Sequence, residues 1–132
     1  MDKATAVRLM DAARAVRANA YAPYSGFRVG AAVLAADGRI YTGVNVENRS
    51  WGVTLCAERA AAAAAVAAAA GEIKAVAVAA DGPSPPCGVC RQALAELGPS
   101  AEVVWEDGAG GFTVRTVAEL LPDPFSGPPP KV

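Results

Sequence analysis

The chain of 132 residues contains no histidine. That absence removes the side chain that most often serves as general base and as metal ligand. Cysteine is scarce as well, at Cys56, Cys87 and Cys90 only. An odd number leaves one thiol over in any disulfide framework, so metal or redox chemistry in a reducing compartment is expected instead. A strong charge imbalance is also lacking. The net charge of -1 and pI near 5.4 provide no global attraction to polyphosphate or anionic lipid, which favours small, neutral partners over nucleic acid or membrane. There is no long apolar run. The longest, Ala60 to Ala70, is about half of the roughly 20 residues that a bilayer crossing needs, and Arg59 and Glu72 bracket it. The opening MDKATAVRLM carries Asp2 and mixes polar with apolar residues, unlike a secretion signal or a basic transit peptide, so a cytoplasmic protein is expected.

What is present suits one compact domain, since 53% hydrophobic residues are enough for a core. Val7, Met10, Ala13, Arg14 and Arg17 recur at helical spacing and predict a helix over Lys3 to Asn19. RVGAAVLA and RIYTGVNV, joined by Ala36-Asp37-Gly38, predict a hairpin. The alanine run from Cys56 predicts a helix that ends at Gly71, and its apolar perimeter predicts cover on every side, including cover by another subunit. IKAVAVAA reads as a strand, GVCRQALAEL as a helix, AEVVWE and GFTVRT as strands, and VAEL as a short helix. Strands alternating with helices imply an α/β domain, with a sheet of about five strands between helical layers. Residues 1–121 form this domain, and residues 122–132 are a proline-rich tail.

Cys87-Gly88-Val89-Cys90 by itself fits either a redox dithiol or half of a zinc site. Adding Cys56 brings the thiolates to three with no imidazole, so one chain cannot close a four-ligand Cys/His site. Three ligands and an open position describe a catalytic zinc, beside which water can ionise near neutral pH. Both thiol segments fall where helices begin, where the helix dipole favours thiolates. Glu58, two residues after Cys56, is within reach of that open position as a proton shuttle, or merely complements the start of its helix. Zinc with three thiolates carries a charge of -1, so a cation should compensate. Arg59 and Arg91, each next to a cysteine, are the candidates, although a solvated arginine is the commoner fate.

Cys56-Ala57-Glu58 followed by Pro86-Cys87-Gly88-Val89-Cys90 resembles the zinc deaminase signature, with cysteine as first ligand. YAPYSGFRVGAAV, VNVEN, LCAERAA, PCGVCRQ and ELLPDPFS extend the likeness in order across nearly the whole chain. Together they resemble the small homotetrameric zinc-dependent cytidine deaminases. The resemblance implies a three-layer α-β-α sandwich around a mixed sheet, and zinc on Cys56, Cys87 and Cys90. It implies that Glu58 transfers protons and that Arg59 hydrogen-bonds to ligand sulfur. It further implies that Asn45 and Glu47 hold the sugar hydroxyls, that Phe27 lines the pocket, and that the Ala57 amide meets the pyrimidine carbonyl. Phe125 would stack on the base in a neighbouring subunit's site. The implied activity is hydrolytic deamination of cytidine and deoxycytidine in pyrimidine salvage, with water attacking C4.

Two departures from the family pattern stand out. Pro85 occupies a position usually held by Ser or Thr, but the family uses only its carbonyl, which proline retains. Arg49-Ser50-Trp51 replaces two small residues and a tyrosine, so Arg49 is either solvated or a donor to an anionic 5′ substituent. Two rivals share parts of this reading. An enzyme editing a base in RNA or DNA needs a positive groove, which the charge opposes. A noncatalytic zinc module needs a fourth ligand, from a carboxylate or a partner chain.

Overall fold

The computed structural model describes residues 1–131. Helix α1 spans Lys3–Arg17, where Asp2 caps its start by accepting a hydrogen bond from the Thr5 amide at 2.7 Å. Such a cap contributes about 1 kcal/mol. The helix ends two residues earlier than the sequence suggests, and its buried stripe is Ala6, Leu9, Met10 and Ala13. Met10 and Ala13 of the expected stripe are buried, but Val7 is 38% exposed and Arg14 faces solvent, and Ala6 and Leu9 are buried in their place. Large side chains at Leu9 and Met10 fill the space above the small sheet residues Ala32, Ala75 and Ala77.

Strands β1 (Gly30–Ala35) and β2 (Ile40–Val44) form the expected hairpin in a register that pairs Gly30 with Val44 and Leu34 with Ile40. Gly38, with φ +80°, supplies the left-handed residue of its turn. Strand β3 (Ile73–Ala79) runs antiparallel to β1, β4 (Glu102–Glu106) parallel to β3, and β5 (Phe112–Thr116) antiparallel to β4. The sheet order is β2-β1-β3-β4-β5. Helix α1 covers one face. Helices α2 (Ala57–Ala67), α3 (Gly88–Leu97) and the short α4 (Val117–Leu120) lie on the other, which completes the three layers expected. The middle strands are buried on both faces and are accordingly built from alanine and valine.

Helix α2 ends at Ala67, short of the expected Gly71. Ala69 takes a left-handed φ of +54°, a conformation costing roughly 1–2 kcal/mol for a residue with a Cβ. The chain must reverse there to rejoin the hairpin. Asp37 N–H donates to Ala70 O at 3.0 Å and Ala36 N–H to Glu72 O at 2.8 Å, while Ala70 returns to the core. The helix is not covered all round within one chain. Ala57, Ala61, Ala62 and Ala65 are buried, whereas Ala63, Val66 and Ala67 are exposed.

Candidate metal centre and its cavity

The starts of helices α2 and α3 lie side by side. Cys56 is the N-cap of α2, Cys87 the N-cap of α3, and Cys90 lies in the first turn of α3. Their three sulfur atoms all lie within 4.8 Å of one another. Tetrahedral zinc with bonds of about 2.3 Å needs sulfurs about 3.8 Å apart, so a small contraction seats the ion on three soft donors. All three cysteines are free thiols.

The charge distribution also suits a cation. Hydrogen bonding with Cys90, followed by the Arg59 guanidinium, pushes the Cys56 thiol down to about 5 despite its burial, and the same contact with Cys56 pushes the Cys90 thiol up. The neighbouring Cys56 thiol raises the pKa of Arg59, whose guanidinium gives one arm to Thr54 O at 3.4 Å. Arg59 Nε is buried with no hydrogen-bond partner among the described residues. A partly buried guanidinium with donor capacity left over, beside three clustered thiols, would offset the negative charge that those thiolates leave on a divalent ion.

The second arginine candidate does not reach the sulfurs. Arg91 donates from Nε to Pro86 O at 2.8 Å and from NH1 to Leu120 O at 2.9 Å, tying the start of α3 to the end of α4. Its spacing from Cys90 was compatible with either role. The Pro86 carbonyl just before α3 and the Leu120 carbonyl, which packing of α4 on α3 brings close, take its donors.

Glu58 is 5% exposed and lies on the first turn of α2. Burial, more than any neighbouring charge, raises its carboxyl pKa above the ordinary range. A carboxyl so placed holds a proton more readily than an exposed one and is suited to proton transfer.

A cavity of about 220 Å³ opens beside the cluster, lined by Phe27, Asn45, Cys56, Ala57, Glu58 and Pro85 among others. Ala57 is the first residue of α2, and its N–H has no carbonyl partner within the helix. Thr54 borders both this cavity and an outer hollow of about 450 Å³ that includes Tyr24, Ser25, Glu47 and Trp51. Asn45 lines the inner cavity and Glu47 the outer hollow. Asn45 Oδ1 accepts from Val29 N–H at 2.9 Å, and Nδ2 donates to Phe27 O at 2.8 Å. Glu47 accepts from three donors on Tyr24 and Ser25, and its pKa is lowered, first by the Ser25 hydroxyl.

Phe125 is not part of this chain's own cavity. It is 80% exposed and borders a separate hollow with Ala95, Glu96 and Pro124. Arg49 is exposed and lines neither cavity. Sequence reasoning missed Ser25 and Thr54. Their hydroxyls sit in turns rich in polar residues, where composition gives no sign of which one meets a distant side chain.

Residues 3–106 match the family described as "Cytidine and deoxycytidylate deaminase zinc-binding region". A cytidine deaminase from Sporosarcina psychrophila is 47% identical over 122 residues, covering 90% of this chain and 90% of the relative. The crystal structure of cytidine deaminase from Burkholderia pseudomallei superposes with a TM-score of 0.85 at 45% identity, covering 95% of this chain and 100% of that one. That of cytidine deaminase from Mycobacterium tuberculosis gives 0.78 at 41% identity, covering 90% and 95%.

Proposed function

The chain belongs to the cytidine and deoxycytidylate deaminases, and from that premise we propose that it is a zinc-dependent hydrolase converting cytidine to uridine and ammonia. The observation that carries the reading is the cluster of three thiols at two helix starts, opening on a cavity that also contains buried Glu58. Cys56, Cys87 and Cys90 would hold the ion, whose Lewis acidity makes water a nucleophile at neutral pH.

The remaining work falls to the chain's own residues. Glu58 takes one proton of the attacking water and gives it to N3 of the pyrimidine; it then takes the second proton, from the hydroxyl newly bonded to C4, and delivers it to the amine as the C4–N bond breaks and the C4 carbonyl forms. One carboxylate acts as base and acid in turn, which its burial permits by favouring the protonated form. The free Ala57 N–H donates to the pyrimidine O2, Phe27 flanks the base, and the Pro85 carbonyl receives the amine. Asn45, in this cavity, and Glu47, in the adjoining hollow, hydrogen-bond to the sugar hydroxyls, the Glu47 carboxylate as acceptor.

The same reading extends to 2′-deoxycytidine, to a role in pyrimidine salvage and to a cytoplasmic location. It also covers a homotetramer in which Phe125, on the tail at 122–132 beyond the domain of residues 1–121, completes a neighbour's site. The exposure of Phe125, Trp51, Val66 and the outer face of α2 supports that assembly. Among the described residues, no helix is long and apolar enough to cross a membrane. Zinc content measured together with ammonia release from cytidine tests the reading. Stoichiometric zinc with no turnover of cytidine would refute it.

A further inference from the structure

We propose that Ser25 is a positioning residue for sugar recognition, clamping Glu47 and Phe27 into one hydrogen-bonded unit; the proposal rests on the cytidine reading above. The Ser25 hydroxyl donates to Glu47 Oε2 at 2.5 Å and accepts from the Phe27 N–H at 2.9 Å. The Glu47 Oε1 atom accepts from the Tyr24 N–H at 2.9 Å and the Ser25 N–H at 3.1 Å. Phe27 is therefore held from both ends, with its N–H on Ser25 and its carbonyl on the Asn45 side chain at 2.8 Å.

Backbone bonds join the same two segments, since the Tyr21 N–H donates to Asn45 O and the Glu47 N–H to Tyr21 O. The backbone of Phe27, whose ring lines the base pocket, and the Glu47 carboxylate consequently meet at one hydroxyl. An ionised carboxylate has about four acceptor positions. Three are taken by Tyr24 and Ser25, which leaves one on Oε2. Ser25 thus fixes the direction of the single acceptor that remains for a substrate hydroxyl. A long, flexible glutamate is ordered before substrate arrives, so binding does not bear the cost of ordering it.

Without the hydroxyl, Glu47 keeps its two backbone donors at Oε1, but Oε2 is free to turn and the Phe27 N–H has no partner. The loss should register on substrates with sugar hydroxyls and spare those without. Charge-assisted hydrogen bonds are the stronger class, so about tenfold is expected for the contact that Ser25 aims.

The experiment measures kcat and KM for cytidine and for 2′,3′-dideoxycytidine in the parent, Ser25→Ala, Ser25→Cys and Ser25→Thr, with thermal melting as a check of folding. Ser25→Ala should raise KM for cytidine about tenfold with kcat within about threefold, and should shift KM for dideoxycytidine by less than about threefold. Ser25→Thr, which keeps the hydroxyl, should restore cytidine binding. Ser25→Cys keeps the size with a weak donor and should follow Ser25→Ala, so a misfolded alanine variant does not remove the test. Equal losses on both substrates would mean a general structural role and would overturn the proposal, as would an unchanged KM for cytidine. A parent enzyme that fails to deaminate cytidine would instead sink the functional reading on which the proposal rests.

Discussion

Gly43 of β2 lies directly against Ala61 of α2: a methyl group at Gly43 would stand 2.3 Å from the Ala61 amide nitrogen and 2.7 Å from the Ala57 carbonyl oxygen. Both are backbone atoms that cannot rotate away. The helix carrying Cys56 at its cap and Glu58 in its first turn is seated by this contact. Gly43→Ala is therefore expected to lower stability by about 1–3 kcal/mol through overpacking. It should also reduce zinc retention, because moving α2 separates Cys56 from the pair on α3. Denaturant melts and metal analysis on one preparation check both effects, and normal stability would remove the seating role.

Glu58→Gln should keep the fold and the zinc while turnover falls by at least about 10² to 10⁴-fold, since one group performs both proton transfers. Steady-state rates of the purified, zinc-loaded variant decide this. Substantial activity would take Glu58 out of the mechanism.

Cys87→Ala should lose zinc and activity together, because two thiolates hold the ion poorly. Arg59→Gln should keep all three ligands yet release zinc to a chelator more readily, by about 10 to 100-fold in affinity, since the compensating charge on the sulfurs is gone. Arg91→Gln, whose partners are carbonyls, should retain zinc as the parent does. Competition with a colorimetric chelator ranks the three variants, and equal retention in both arginine variants would contradict the distinction drawn between them.

The active form is expected to be a homotetramer, with Phe125→Ala raising KM for cytidine although Phe125 lies outside its own chain's cavity. Light scattering coupled to size exclusion reports the mass, and steady-state kinetics report KM. A fully active monomer would rule out shared sites, and an unchanged KM would remove the stacking role alone.

Arg49→Ala should leave the ratio of kcat/KM for cytidine and cytidine 5′-monophosphate unchanged. Arg49 is exposed and borders neither cavity, whereas the Glu47 carboxylate lines the outer hollow and disfavours a phosphate there. A ratio that moves tenfold in the variant would instead make Arg49 a contact for an anionic 5′ group.

Local chemistry was legible in the sequence because it depends on neighbours along the chain. The Asp37-Gly38 turn, the helix beginning at Gly88, the short VAEL helix and the β strands follow from backbone preference and from the period of the apolar residues. The donor set for the metal was legible for a similar reason: with no histidine and three cysteines, few ligand sets are possible. Tertiary structure decided whatever depends on which remote groups meet. Arg59 and Arg91 both adjoin cysteines, yet only the fold sets one beside the Cys56 thiol and turns the other to the carbonyls of Pro86 and Leu120. The early end of α2 reflects the hydrogen bonds that draw Ala70 and Glu72 back to the hairpin, which outweigh the helix propensity of alanine. Burial of Glu58 and the clamp of Ser25 on Glu47 arise in the same way, because desolvation and long-range hydrogen bonds exist only once the layers have packed.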